Sequence, residues 1–399
     1  MLRNKFLLTL TIAISWMLVK IKFLQRIIPR KVLNKLPLGW TDEMYSTVLK
    51  SRGKKVYVDI PCQLQQPISY QPKTAVDPAY QLTEADIQFF YQNGYIGPFT
   101  IVAPEVAEGI KSHLVEMLET ESTVYPYSQN AYVIEAKDRA TSQDRIRSNY
   151  DTSYLAMNYR DRHLDDSQLL DLFKHPALTE RCAQLLGPDL LLWRTQFFPK
   201  APSEEGTPLH QASTYLLDNL KEPVVYPPNL NELFQLTCWI ALTDATKENG
   251  CMVVVKGTNK QIAPLKISKP YDTQKSDDGS KRFGTAKIEV DLQVNSEDVM
   301  PIEMKAGQFF IFSERSLHGS LGNQTAEGRW AVNGRIVRPD TRLYTDKMLK
   351  EGHMYKVVGV KDICLDRWQT VPIRGEDRFG CNQRLKDVPA GESIEPVKV

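Results

Sequence analysis

Six histidines set the limit on imidazole chemistry in this 399-residue chain. His113 lies in a helical pattern, His175 precedes Pro176 and His353 sits in a polar stretch, so these read as structural or solvated. His210 and His318 stand at the edges of predicted strands beside small residues, in His210-Gln211-Ala212 and His318-Gly319-Ser320, where a ligand has room. On residue type and spacing alone, metal ligation and ordinary strand-edge packing both remain open for this pair. Six scattered cysteines without a C-x-x-C pair exclude a zinc ribbon and a thioredoxin-like motif, and read as buried small hydrophobes in a reducing compartment. Arg329 begins a strand eleven residues after His318, where it is either a surface cation or a partner for an anion. Thr237-Cys238-Trp239 reads on its own as strand packing.

The elements that carry these residues fall into two kinds. Thr83 caps a predicted helix with Asp86 three residues on; Ile87, Phe89 and Phe90 supply its apolar side and Gly94 ends it. Pro104 opens a second helix to about Glu119, and Pro176 to Leu186 forms another, stopped by Gly187-Pro188. Beyond Gly187 come short strands rich in Val, Ile, Phe, Trp and Thr: Leu190–Phe198, Leu236–Thr243, Met252–Lys256, Gln308–Ser313 and Trp330–Arg338. Helices first and strands later predict an α+β fold around an antiparallel sandwich or barrel. Residues 268–303, with Asp277-Asp278-Gly279-Ser280, read as a polar insertion of the kind that forms lids.

Composition is that of a globular protein, with 42% hydrophobic and 25% charged residues, which excludes collagen, long coiled coil and global disorder. The net charge of +2 hides an asymmetry: residues 1–56 hold twelve Lys/Arg against two Asp/Glu, so the remainder is mildly acidic and no nucleic-acid-binding surface is expected. Arg3 and Lys5 precede the apolar run 6–19, and Lys20, Lys22, Arg26, Arg30 and Lys31 follow it. Residues 1–35 are therefore expected to be a basic, hydrophobic membrane anchor or interfacial helix acting through residues 6–24, with the body cytoplasmic and held at the cytoplasmic face. An ordinary N-terminal helix is the competing reading. Residues 36–81, with several prolines and no sustained pattern, read as a tether or wrapping arm.

A run of ordered motifs carries a family resemblance. Trp193-Arg194-Thr195-Gln196-Phe197-Phe198-Pro199-Lys200, Glu205-Gly206-Thr207 and His210-Gln211-Ala212 are followed in turn by Leu236-Thr237-Cys238-Trp239, Thr243-Asp244-Ala245, Asn249-Gly250-Cys251, Ala306-Gly307-Gln308-Phe309 and His318-Gly319-Ser320. With Asn158-Tyr159 and Arg162-His163-Leu164-Asp165-Asp166, this resembles the phytanoyl-CoA dioxygenase family of non-haem Fe(II), 2-oxoglutarate-dependent enzymes, and more narrowly its chlorinating branch. The resemblance covers residues 82–345 and leaves 346–399 as an extension.

It implies a double-stranded β-helix, a jelly-roll or cupin-like core flanked by N-terminal helices, with Fe(II) held by His210 and His318. The family's usual facial triad has a carboxylate two residues after the first histidine. That position is Ala212, and a halide fills the vacancy and restores the missing negative charge in the branch it resembles. The resemblance assigns Arg329, Thr207 and Trp239 to 2-oxoglutarate, Thr237 and Arg335 with Ala212 to the halide, and Gln196, Phe198, Tyr215, Leu217 and Glu314 to the substrate pocket. It implies a halogenase that uses Fe(II), 2-oxoglutarate, chloride and O2 to chlorinate an unactivated aliphatic carbon. The substrate class it implies is an acyl or aminoacyl group tethered to a carrier protein, or a lipid-like precursor. Two alternatives stay open: a hydroxylase in which a relocated acid such as Glu314 completes the iron site, and a membrane-tethered scaffold without turnover.

Overall fold

The structure is a computed structural model and describes residues 5–33, 36, 42–53, 55–120, 122–125, 158–211, 223–268, 287–355, 360–363 and 365–384. Its helices are α1 (Lys5–Lys20), α2 (Lys22–Gln25), α3 (Arg30–Leu33), α4 (Asp42–Lys50), α5 (Glu84–Asn93), α6 (Pro104–Met117), α7 (Ser167–Lys174), α8 (Pro176–Leu186) and α9 (Asp346–Glu351). The strands are β1 (Lys55–Val58), β2 (Tyr95–Thr100), β3 (Leu190–Phe197), β4 (Thr207–His210), β5 (Val225–Tyr226), β6 (Gln235–Ala241), β7 (Met252–Val255), β8 (Leu265–Ser268) and β9 (Lys287–Val290). They continue with β10 (Val299–Ile302), β11 (Gln308–Ser313), β12 (His318–Ser320), β13 (Ala331–Val337), β14 (Arg342–Leu343), β15 (His353–Tyr355), β16 (Val360–Ile363) and β17 (Val371–Arg374).

Local signals set the helix ends. The Thr83 hydroxyl accepts from the Asp86 amide and the Asp86 carboxylate accepts from the Thr83 amide, a reciprocal cap, while Gly94 adopts the left-handed conformation that stops α5. Ile87, Phe90 and Tyr91 form its buried face, but Phe89 does not. A rotation of about 100° per residue carries Phe89 to the other side, where it meets the Tyr95 ring edge-on at 5.4 Å. His175 accepts from the Ala177 amide and Pro176 occupies the first turn of α8, both within the predicted span.

Two antiparallel sheets face each other. The six-stranded sheet runs β17-β3-β13-β6-β11-β2 and the four-stranded sheet β10-β7-β12-β4. Trp239, Phe310 and Phe312 from the first pack against Met252 and Val254 from the second. The outer face of the six-stranded sheet, with Leu236, Cys238, Ile240, Ile311 and Ile336, packs on Leu114, Phe173, Leu178, Cys182 and Leu185 of α6, α7 and α8. Gly334 allows the closest approach there: a Cβ at this position would lie 2.3 Å from Phe173 Cε1. The expected jelly-roll sandwich with N-terminal helices is the fold observed.

Several expectations about the flanks change. Residues 36–81 contain α4 and β1, and the stretch after β1 wraps the body: the Leu64 amide donates to Lys260 O and the Gln65 amide to Asn231 O. The insertion at 268–303 is not all lid, because β10 joins the four-stranded sheet beside β7; residues 269–286 lie outside the described residues. The extension after 345 also enters the main sheet, where β17 pairs with β3. Its Trp368 is fully buried and donates through Nε1 to Trp193 O.

No helix among the described residues is long and apolar enough to cross a membrane. α1 has 16 residues, about 24 Å of helix against a hydrocarbon core of about 30 Å, so the spanning form of the anchor finds no support. One face of α1 packs Ile12, Trp16 and Val19 against Met44, Tyr45 and Val48 of α4 and Leu265 of β8.

Candidate active site

β4 and β12 are neighbours, and their register makes His210 and His318 direct Cα partners. Gly319 lets the strands approach, since a Cβ there would come within 2.5 Å of Thr207 O. The two imidazoles face each other with centroids 4.3 Å apart, and Phe312 lies 4.6 Å from the His318 ring.

Each ring is oriented by its own backbone. His210 Nδ1 is 2.9 Å from Pro208 O, and His318 Nδ1 is 2.8 Å from Ser316 O. A carbonyl only accepts, so each Nδ1 carries the proton and each Nε2 keeps its lone pair for a ligand. Burial pushes both pKa values down, with the Arg335 charge acting in the same direction on both and His210 adding to it at His318. Both rings are therefore neutral at neutral pH, the state in which imidazole binds a metal.

Among the described residues, no group of three or more His, Cys, Asp or Glu side chains is placed to hold a metal. The histidine pair has no described carboxylate beside it. Glu314, expected in the pocket or as a relocated ligand, is fully buried and committed elsewhere. Its Oε1 accepts from Arg315 Nε at 2.9 Å and its Oε2 from Ser313 Oγ at 3.2 Å. Arg315 in turn donates to Leu230 O and, at 3.1 Å, to Glu232 O. Glu314 thus ties a corner of the core, and burial raises its pKa.

The structure brings Arg329 and Trp239 together: the guanidinium carbon lies 5.1 Å over the indole. Arg329 is 2% exposed and donates through Nη1 to Phe198 O at 3.1 Å, while its Nε has no partner among the described residues. Burial lowers its pKa to about 10, which leaves it cationic at neutral pH. A buried cation with an unused donor fits an anionic group such as the distal carboxylate of 2-oxoglutarate. Thr207 is held on β4 by Ser320, whose Oγ lies 3.0 Å from Thr207 Oγ1.

On the inner face of the six-stranded sheet, Arg335 is the cross-strand partner of Thr237, and the Thr237 hydroxyl is buried without a partner among the described residues. Gln196 lies opposite Asn333 on the same sheet. Phe198 is 38% exposed, and its carbonyl accepts from Arg329 Nη1. Ala212, Tyr215 and Leu217 lie outside the described residues.

Asn333 escaped the sequence reading. It is buried, pairs in register with Trp239, and presents an Oδ1 with no partner among the described residues. The signal was available in the period-two alternation of β13, which puts residues 333 and 335 on one face. Two neutral imidazoles whose Nε2 atoms keep a lone pair, with a buried arginine over Trp239 that has an unused donor, are a donor set that fits Fe(II) and 2-oxoglutarate.

Comparison with known proteins agrees with this fold. Residues 90–331 match the family model described as phytanoyl-CoA dioxygenase (PhyH). The chain is 25% identical over 189 residues to a probable phytanoyl-CoA dioxygenase of Caenorhabditis elegans, a match covering 46% of this chain and 54% of that protein. It is 25% identical over 202 residues to the peroxisomal phytanoyl-CoA dioxygenase of Homo sapiens, covering 49% and 54% respectively. The matches thus span about half the length of these two relatives. Dioxygenase lolE1 of Epichloe uncinata is 23% identical over 265 residues, 65% of this chain and 84% of that one. Among solved structures, CytC3 with Fe(II) and alpha-ketoglutarate shares the fold, with a TM-score of 0.54 at 24% identity over 76% of this chain and 94% of that one. The matched span, residues 90–331, is more than half of the chain, and on this ground the chain belongs to the phytanoyl-CoA dioxygenase family.

Proposed function

We propose that this chain is an Fe(II)- and 2-oxoglutarate-dependent halogenase that acts on an unactivated aliphatic carbon. The observation that carries the reading is the incomplete ligand set. No described carboxylate stands with His210 and His318, and the residue two after His210 is alanine, whose methyl group donates nothing to a metal. Two neutral imidazoles add no negative charge to a divalent cation, and one carboxylate of 2-oxoglutarate would be paired with Arg329, so one positive charge would remain for chloride to balance. When bound, iron supplies the oxygen chemistry that removes hydrogen from an aliphatic carbon.

The residues do the positioning. His210 and His318 present fixed Nε2 atoms. Arg329 would hold the distal carboxylate of 2-oxoglutarate, and Trp239 and Thr207 would help to hold the same cosubstrate. Thr237 and Arg335 offer hydrogen-bond donors toward the halide. Gln196 and Asn333 give the inner face a polar border against which a substrate is oriented, so that its target carbon is held toward the halide. A carrier-tethered acyl or aminoacyl group, or a lipid-like precursor, is the substrate class that follows from this reading.

Hydroxylation is the second reading, favoured by relatives that carry dioxygenase names. Anaerobic titration with Fe(II) and 2-oxoglutarate, followed by metal-to-ligand charge-transfer absorption with and without chloride, separates the two. Chloride should sharpen or tighten the band in the wild type, and Ala212→Asp should remove that dependence. A band indifferent to chloride would move the assignment to hydroxylation, and no band at all would sink both readings.

A further inference from the structure

The N-terminal helix has two apolar faces, and only one of them is used. Ile12, Trp16 and Val19 face α4, where Trp16 stacks on Tyr45 at 5.9 Å. Asp42 fastens the helix by accepting from Trp16 Nε1 at 2.7 Å and Lys20 Nζ at 2.6 Å. On the other side, Leu7, Leu10, Ile14, Met17 and Ile21 recur every three or four residues and are 40% to 55% exposed. Phe23 and Ile27, at 65% and 66% exposure, continue the apolar surface past the end of α1.

Charge identifies what covers this face. Residues 1–41 hold eight Lys/Arg and no Asp/Glu; Lys20 is tied to Asp42, and Lys22, Arg26, Arg30 and Lys31 follow it in the sequence. An amphipathic helix with a basic flank complements an anionic lipid surface. A second copy of the chain would bring the same eight positive charges against the first. A transmembrane course would strip α1 from α4 and still fall short of the hydrocarbon thickness.

We propose that α1 lies in the plane of a membrane, its outer stripe inserted at the boundary between headgroups and acyl chains and the basic residues beyond it paired with anionic headgroups. The inner face stays on α4, so the body is held at the surface without crossing it. This inference does not depend on the reaction proposed above, and its test reads lipid binding alone.

The test is flotation of the full-length chain with vesicles of phosphatidylcholine, with and without phosphatidylserine, at low and high salt. Wild type should float with the anionic vesicles and do so less at high salt. Replacing Arg26 with Gln should weaken partition about fivefold, the effect of one surface-bound basic residue. Leu10→Asp with Met17→Asp should abolish flotation while leaving the circular dichroism spectrum unchanged, because both side chains point outward. The proposal is overturned if wild type does not float, or if the double variant floats equally well. It is also overturned if protein without lipid is a dimer that the double variant converts to monomer, or if alkaline carbonate fails to release bound protein from the vesicles.

Discussion

The two faces of the six-stranded sheet are made by alternate residues of the same strands, yet they do opposite work. Along β6, Leu236, Cys238 and Ile240 point outward into a dry core with α6, α7 and α8. Thr237 and Trp239 point inward, beside Asn333 and Arg335 of β13. The outer face is satisfied within the protein. The inner face keeps polar atoms without described partners, at Thr237 Oγ1, Asn333 Oδ1 and Arg329 Nε. Such atoms are costly to bury unless a ligand completes them, so stability and chemistry are assigned to opposite sides of one layer.

Variants that attack each face separately would break or sharpen this division. Replacing either His210 or His318 with alanine removes one of two ring ligands and should abolish the Fe(II) charge-transfer band, while thermal unfolding changes little. On the outer face, Ile240→Ala should cost about 2–5 kcal/mol in chemical denaturation and leave 2-oxoglutarate affinity of the folded protein unchanged. Arg329→Ala should do the reverse, weakening 2-oxoglutarate binding by about 1.5–3 kcal/mol in calorimetric titration. If Ile240→Ala damaged binding as much as Arg329→Ala does, the two faces would not be independent.

A proton-linked effect belongs to the core. His163 is fully buried, its Nδ1 3.0 Å from Thr195 Oγ1, and burial lowers its pKa from 6.5 to about 4. Between those values the unfolded chain binds a proton that the folded chain refuses, so stability falls as pH drops from 6.5 toward 4, roughly tenfold in the folding equilibrium per pH unit. His163→Gln should flatten that slope by one proton in denaturation measured across the range. The smallest effect is expected at Thr237→Val, which should weaken chloride dependence by about 0.5–1.5 kcal/mol with little change in stability, since no described partner is lost.

Much of this division was legible in the chain because its signals are local. The Thr83 and Asp86 cap, Pro176 at the start of α8 and the β-rich runs from 190 onward each place an element within a residue or two. The His210 and His318 pair came from small neighbours and ordered motifs, not from spacing. What escaped depends on distant partners. β1 is short and is stabilised by β8, more than 200 residues away, so nothing near Lys55–Val58 announces it. Glu314 looked available because its sequence position is close to His318, but a side chain's direction at a turn is set by its partner, here the adjacent Arg315. Phe89 was misassigned by counting hydrophobic residues without turning the helix.

The family match ends at residue 331, but the sheet that presents the inner face ends at β17, some forty residues later. β3, which carries Gln196, is bordered on one side by that late strand. A chain cut at residue 331 would lose β13 as well as β17, leaving β3 with neither neighbour and β6 with one open edge, and it would also lose Asn333, Arg335 and the Trp368 that packs beneath Trp193. The piece that looks like an enzyme by homology is therefore smaller than the piece that completes the sheet, and a fragment cut to the former would lose both the fold's closing strands and part of the inner face.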